Sequence, residues 1–375
     1  MRFYVCPALT QLSFADTGAQ REATHFKNRV LDLVDIFLRK QPTSKYAPYF
    51  LLPLVQIIMG TGSDEKQLSD KVSALLRSRV GKAKELPIVI DLPETRATLG
   101  ELHAMARKTH SPEVRDTISA CSLYLTRVLL SEPVNDSRSV IEAYRLSLAD
   151  FATRKASPLQ PSFIQDFMRR QPRTAWQFRN DFLQVADKAV NVYRKCQTFQ
   201  LLHPLLNQFA LVVSSVQIRA SLLLTGREQT ANPSDTKEFM RTFCVAIYAT
   251  ISGACDDPDS LSAAQVKDLL KLSLLAVRQT RRVTDDPNDL RAIWDAASLT
   301  SLSTKLASSR FKSTSSLHGL CKQLHAAIGS NLEALGTHSG ERARTGDQKK
   351  RKAEDTKDET EVKKARRKKT KKNRD

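Results

Sequence analysis

An all-α fold is predicted for this chain, and three observations predict it. Apolar residues recur at helical spacing almost without interruption from His25 to Leu335. Glycine is scarce, 12 in 375 residues, and no Asn-Gly or Asp-Gly pair offers a hairpin turn. Prolines punctuate the periodic segments at Ser157-Pro158, Gln171-Pro172, Asn232-Pro233, Asp257-Pro258 and Asp286-Pro287. Ten or more helices in series form either a bundle or a stack of helix pairs. Proline in the loops and pairs of similar length favour a right-handed, HEAT/armadillo-like α-solenoid. No strict repeat at a fixed period is visible, but degenerate repeats of about 40 residues are typical of such arrays.

The first clear helix is His25 to Lys40. Phe26, Val30, Leu33, Val34, Phe37 and Leu38 lie on one stripe, and Gln41-Pro42 ends it. Ala47 to Met59 is apolar on most faces, with a kink expected at Pro53. After Gly60-Thr61-Gly62, Ser63 is a good N-cap, and Asp64 and Glu65 suit the first turn of a helix running to about Val80. Leu86 to Asp91 is β-branched but bracketed by Pro87 and Pro93, so it reads as an extended connector. Further helices are predicted at 95–109, 112–130, 136–153, 161–170, 174–200, 202–226, 235–253, 262–280, 287–299 and 316–334. Ser262 with Gln265 forms a capping box at the start of the 262–280 helix. The long segments 174–200 and 202–226 suggest a less regular C-terminal portion.

Charge divides the chain. Lys and Arg number 59 against 40 Asp and Glu, a net +19. Residues 341–375 hold sixteen of those cations and eight of the acids, and Val362 is their only large aliphatic side chain. Such a stretch buries too little apolar surface to offset the entropy of ordering and is expected to be disordered. Its cations fall into two blocks ten residues apart. One is Lys349, Lys350, Arg351 and Lys352. The other is Lys363, Lys364, Arg366, Arg367, Lys368 and Lys369, followed by Lys371 and Lys372. This is the pattern of a bipartite nuclear import signal, read by an import receptor, and equally of a polycationic arm for nucleic acid. The expected organisation is a lead-in at 1–24, a helical-repeat region at 25–340 and the basic tail at 341–375.

The remaining 340 residues are themselves basic, which favours a polyanionic partner such as nucleic acid. Arg77, Arg79, Lys82 and Lys84 gather near one helix end, Arg169, Arg170 and Arg173 near a second, and Arg278, Arg281 and Arg282 near a third. Helix macrodipoles alone attract cations to C-termini. The functional alternative is a strip along one solenoid edge that contacts phosphates without reading bases. No apolar run approaches the length of a membrane span, and the N-terminus lacks a secretory signal pattern.

Catalytic and metal signatures are few. The six cysteines include no CxxC, which fits free thiols in a reducing compartment and argues against zinc. His318, Cys321 and His325 could align on a helix but lack a fourth ligand. Asp32 and Asp35 are expected to pair with the flanking Arg29 and Arg39. Asp256, Asp257 and Asp259 read as turn residues. The chain has no P-loop, dinucleotide fingerprint, nucleophile elbow or acidic strand motif for two magnesium ions. No cofactor is implied, and an enzyme is not expected.

The phrases RVLDLVDIFLRKQP (Arg29–Pro42) and EKQLSDKVSALLRSRVGK (Glu65–Lys82) carry a family resemblance. The segment from His25 to Lys82 resembles the late region of the DNA polymerase phi family, also called DNA polymerase V, which includes the vertebrate Myb-binding protein of the nucleolus. The basic tail is similar in kind. The resemblance implies a nucleolar helical-repeat protein acting in rDNA transcription and ribosome assembly, with rDNA or rRNA and nucleolar or transcription proteins as partners. Members of that family are usually much longer, so Met1 reads as the start of a C-terminal portion. Two other functions stay open at this level: a nucleotidyltransferase, as the family name suggests, and a nuclear transport adaptor. Convergence of carboxylates in one cleft would favour the first, and a cargo groove the second.

Overall fold

Leu31, Val34, Phe37 and Leu38 draw the first helix onto its neighbour, whereas Phe26 and Leu33 of the predicted stripe are exposed, because they lie on the far side of the helix from Leu31 and Leu38. A computed structural model describes residues 17–62, 65–131, 134–209, 212, 233–257, 260–283 and 287–329. Helix α1 spans Thr17–Lys40, eight residues longer at its start than its clearest periodicity, and ends before Pro42 as expected. A 3₁₀ turn, Ala47–Phe50, runs into α2, Leu51–Gly60. Pro53 therefore sits in the first turn of α2, where its missing N–H costs little, and the helical run is divided ahead of it, between Phe50 and Leu51. Helix α3, Lys66–Leu75, closes in a π turn, Leu76–Val80. The connector that follows is irregular up to Asp91. Then come α4 (Leu92–Ala106), α5 (Pro112–Leu130), α6 (Ser137–Thr153) and α7 (Pro161–Arg170). Asp91, Ser111 and Asp136 cap α4, α5 and α6 by accepting from backbone N–H groups three residues on.

The predicted helix 174–200 is in fact three: α8 (Pro172–Gln177), α9 (Arg179–Asp187) and α10 (Val192–Leu201). Asn191 accepts from the Arg194 N–H at 2.8 Å and so starts a new helix inside the periodic run. Of the predicted helix 202–226, α11 (His203–Asn207) is described, and most of the rest lies outside the described residues. Next are α12 (Pro233–Asp256) and α13 (Ala263–Val283), the latter opened by the Ser262–Gln265 capping box. The predicted helix 287–299 is also divided, into α14 (Pro287–Ile293) and α15 (Ala296–Ser308). Asp295 caps α15 by accepting from Ala297 and Ser298. Helix α16, Ser315–Ile328, ends where Gly329 takes a left-handed φ of 77°, a conformation that suits glycine. Residues 330–334 of the last predicted helix, Ser63, Asp64 and the tail 341–375 lie outside the described residues.

Two layers result. Helices α1, α3, α5 and α7 pack in series, continued by α10–α11, α13 and α16. Helices α2, α4, α6, α8–α9, α12 and α15 form the other series. Long-range polar contacts give the period directly. Lys27 meets Glu65, Arg96 meets Asp136 and Arg145 meets Asp181, at separations of 38, 40 and 36 residues. Each links a helix to the next one in its own layer. That is the architecture of an α-solenoid, and no strand occurs among the described residues. Between the layers runs a continuous core, aliphatic at the start (Leu51, Val55, Val72, Leu76), rich in aromatic rings from Tyr144 to Tyr248, and mainly aliphatic again after it (Leu269, Val277, Leu302, Leu324). Tyr144 stacks on Phe167 with centroids 3.9 Å apart, and Trp176 contacts Phe209 and Phe239.

Candidate functional site

The four body cations singled out from the sequence separate into two kinds. Arg77 and Arg79 stand in the π turn after α3. Arg77 donates to the Thr117 hydroxyl at 3.1 Å and to the Glu113 carbonyl at 2.8 Å, both on α5. Arg79 forms a fork with Asp35 of α1, at 2.6 and 3.3 Å. The Arg79 bond holds the Asp35 carboxyl below its usual range. Both arginines thus join successive helices of one layer. Lys82 and Lys84 lie just beyond, exposed, in the connector. Arg127 on α5 anchors this connector by donating to the carbonyls of Ala83 and Lys84. Nothing in the sequence distinguished Arg127 from other helix cations.

Asp32 and Asp35 do not pair with Arg29 and Arg39. Asp32 is 2.8 Å from Lys71, and Asp35 is 2.6 Å from Arg79, both across to α3. The side of α1 that carries them faces the next repeat, so cross-helix partners replace those on the same helix. Arg169 is bound to Asp166 at 2.6 Å, while Arg170, Arg173, Arg278, Arg281 and Arg282 are exposed. The three basic clusters end α3, α7 and α13, all helices of one layer.

His318 meets the Lys312 carbonyl at 3.2 Å, whereas Cys321 and His325 are buried in the core. Asp256 is held by Lys305 at 2.6 Å. Asp259 lies outside the described residues. The five described cysteines are free, and burial pushes the thiols of Cys121, Cys196 and Cys244 up to about 12, so they stay protonated and weakly reactive. Cys6 lies outside the described residues.

Two buried polar groups escaped the sequence reading. His103 on α4 is fully buried, its Nδ1 2.8 Å from the Ser147 hydroxyl of α6 and its ring edge-on to Tyr144 and Phe163. Burial pushes its pKa down to about 3, with Arg107 contributing. Arg179 on α9 lies over the rings of Trp176 and Phe239 and donates to the Trp176 carbonyl at 3.0 Å. Helical periodicity shows that these positions face inward, but not that a neighbouring repeat supplies the partner. A further feature is an open groove of about 650 Å³ between α12 and α15, lined among others by Arg241, Val245, Arg291, Ser298 and Lys305. No described helix is long and apolar enough to cross a membrane.

The fold defines the class: a helical-repeat protein whose paired helices stack through polar cross-repeat clamps. The family model for Myb-binding protein 1A-like proteins with TPR repeats matches residues 41–330, so the chain belongs to that family. It is 29% identical over 112 residues to the "rDNA transcriptional regulator pol5" of Schizosaccharomyces pombe (strain 972 / ATCC 24843), covering 30% of this chain and 11% of that protein. It is 28% identical over 163 residues to a "Myb-binding protein 1A-like protein" of Danio rerio, covering 39% of this chain and 13% of that one. The matched part is therefore a small fraction of both relatives. No solved structure matches the chain. The sequence resemblance, read on 58 residues between His25 and Lys82, thus extends over most of the solenoid.

Proposed function

We propose that this chain is a non-enzymatic nucleolar scaffold acting in rDNA transcription and ribosome assembly. The solenoid supplies the protein-binding surface, and the 341–375 segment supplies nuclear import and non-specific affinity for nucleic-acid backbone. The observation that carries the reading is the family match across 41–330, together with a relative named as an rDNA transcriptional regulator. Charge supports the nucleic-acid part: the two basic blocks of the tail, and exposed Lys82, Lys84, Arg170, Arg173 and Arg278 at helix ends of one layer. In a stack of antiparallel pairs those ends share an edge. Arg77 and Arg79 are engaged within the solenoid, so phosphate contact is assigned to Lys82 and Lys84 in preference. The catalytic reading has no comparable support. Asp35, Asp136 and Asp181 are each engaged by an arginine of a neighbouring repeat rather than gathered around a shared cleft.

Crosslinking followed by sequencing of bound nucleic acid from cells tests the proposal, with rDNA or rRNA expected. Recovery of neither would overturn it. Replacing Lys349–Lys352 and Lys363–Lys369 by Ala is expected to leave a fluorescent fusion largely cytoplasmic. In solution, roughly six to eight phosphate contacts, each giving a slope of about −0.9, weaken duplex binding by about 10³-fold or more between about 50 and 200 mM salt. Removing 341–375 is expected to abolish most of that slope. A salt-insensitive affinity would show that the solenoid reads bases directly.

A further inference from the structure

The solenoid edge that carries Lys82 and Lys84 also carries two aromatic rings from an earlier part of the chain. Tyr49 lies in the 3₁₀ turn that leads into α2, and Tyr46 stands just before that turn. They are 39% and 42% exposed, and their rings are tilted by 49° with centroids 6.3 Å apart. The Tyr49 hydroxyl donates to the Asp91 carboxylate at 3.2 Å, and Asp91 is the N-cap of α4. The ring is thus held toward the next repeat, among residues that the structure describes. The connector reaches the same place. Arg127, in the last turn of α5, holds the carbonyls of Ala83 and Lys84. Helices α4 and α5 form an antiparallel hairpin across a short loop, so the last turn of α5 is level with the first turn of α4. Lys84 and Tyr49 are therefore fixed at one end of the same hairpin. The end of α1 is tied to this edge by the Asp35–Arg79 fork. Exposed Arg39, Lys40, Lys45, Lys82 and Lys84 outnumber the exposed carboxylates of Glu85, Asp91 and Glu94. The Lys45 ammonium lies over the Tyr46 ring, 5.2 Å from its centroid.

Exposed rings beside exposed ammonium groups fit a ligand with flat apolar faces strung on a negatively charged chain. A single nucleic-acid strand offers both, whereas a duplex keeps its base faces stacked inside. We propose that Tyr46 and Tyr49 form a stacking platform for single-stranded nucleic acid, with Lys45, Lys82 and Lys84 on its phosphates. The proposal rests on the nucleic-acid reading given above and narrows it from backbone contact with any nucleic acid to a single strand. Every base has a π-face, so the platform tolerates any sequence. Lys45 leaves the face of Tyr46 for a phosphate as a base takes its place, and Asp91 keeps the Tyr49 ring from turning. Stacking displaces no counterions, so the rings contribute affinity that is independent of salt, and the lysines contribute the salt-dependent part.

Fluorescence anisotropy on the full chain tests this, with labelled oligouridine and oligothymidine of about 12 nucleotides and an RNA duplex of about the same length as probes. The double variant Tyr46→Ala, Tyr49→Ala is expected to bind the single strands ~10–100-fold more weakly, with the duplex affinity kept to within ~2-fold and the salt slope unchanged. Tyr46→Ala alone, which leaves the Tyr49–Asp91 bond in place, is expected to lose ~5–10-fold with wild-type circular dichroism and melting temperature. Tyr46→Phe keeps the ring and is expected to stay within ~2-fold of wild type. Lys82→Ala with Lys84→Ala has the opposite signature: the single-strand salt slope flattens by about 1.4, or about 0.7 for each phosphate released. A loss on oligouridine alone or on oligothymidine alone supports the platform and assigns it to RNA or to DNA. Single-strand binding indifferent to both tyrosines, or an equal loss on the duplex, overturns the platform and leaves the backbone reading standing. A wild type that binds none of the three probes overturns the platform and the nucleic-acid reading together.

Discussion

The early repeats, α1 to α7, and the late repeats, α12 to α16, use the same scheme at different tightness. In the early repeats cross-repeat bonds span 36 to 47 residues, as in Arg145–Asp181 and in the bond from Arg154 to the Arg107 carbonyl. In the late repeats the spans vary more widely: Arg291 reaches 38 residues to the Gly329 carbonyl, Lys305 reaches back 49 to Asp256, and Arg310 reaches 56 to the Ala254 carbonyl. The additional length includes the short helix α14, and an open groove of about 650 Å³ lies between α12 and α15. One early joint, at Gly81, is close enough to need a missing side chain. A Cβ on Gly81 would stand 2.9 Å from the Arg77 carbonyl oxygen and 3.2 Å from the Ala120 methyl. Gly253 on α12 has nothing within 4 Å, and neither has Gly100 on the early helix α4. A solenoid can therefore lengthen one repeat without losing its layers, because each helix answers only to its neighbours. The consequence is local: the Gly81 joint resists substitution, whereas exposed apolar side chains occur at both ends, Leu33 and Val245 among them.

The largest expected effect tests the aromatic core that joins the two ends. Phe167→Ala removes the ring stacked on Tyr144 in a fully buried site and is expected to destabilise by about 3–5 kcal/mol in urea unfolding. A loss below about 1 kcal/mol would mean that the repeats unfold independently around it.

Next is the pH response of the early repeats. His103 titrates at 6.5 when unfolded and at about 3 when folded. Between these values the unfolded chain holds the additional proton, so the contribution is constant above about pH 7. It is lost as pH falls, at about 1.4 kcal/mol per unit below about pH 6. His103→Gln is expected to remove this slope, and the difference between the two unfolding curves at several pH values measures it.

The glycine pair addresses tightness itself. Gly81→Ala is expected to cost about 1–3 kcal/mol through overpacking. Gly253→Ala, inside an open helix, is expected to stabilise by about 0.5–1 kcal/mol. Equal effects in thermal melts would show that the Gly81 joint is not overpacked.

The smallest effect concerns the polar clamps. A double-mutant cycle on Arg79 and Asp35 is expected to give the larger coupling of the two clamps, since the guanidinium grips the carboxylate with two nitrogens. The corresponding cycle on Lys305 and Asp256 is expected to give less, because that carboxylate is 65% exposed and held by a single ammonium. A larger coupling at Lys305 would reverse the ranking.

Much of this scaffold was legible in advance, for identifiable reasons. Helix α5 starts and ends where its pattern does because Ser111-Pro112 opens it and no internal cap competes. The breaks at Asn191 and Asp295 were missed because apolar periodicity runs through them. Both residues are nonetheless good N-caps, so the local signal existed and was outweighed by the longer pattern. Of the candidate site, the clustering of Arg77, Arg79, Lys82 and Lys84 was visible, but the division between clamping and exposed cations was not. Arg77 and Lys82 are chemically similar on paper. Only the arrival of α5, some forty residues later, gives one of them a hydroxyl and a carbonyl to bind.

Sequence by itself determined the helical class, most helix ends, the charge of the chain and the composition of its tail. Each of these depends on residues within about a dozen positions of one another, through caps, proline and the 3.6-residue period. Tertiary structure alone decided which carboxylate each arginine holds, that His103 is kept neutral between two helices, and that Leu31 rather than Phe26 or Leu33 joins Leu38 in packing α1 on its neighbour. Those outcomes depend on groups roughly forty residues apart, and apolar patterns specify that a face is to be buried without specifying against which neighbour, since the hydrophobic effect is proportional to area and carries no direction.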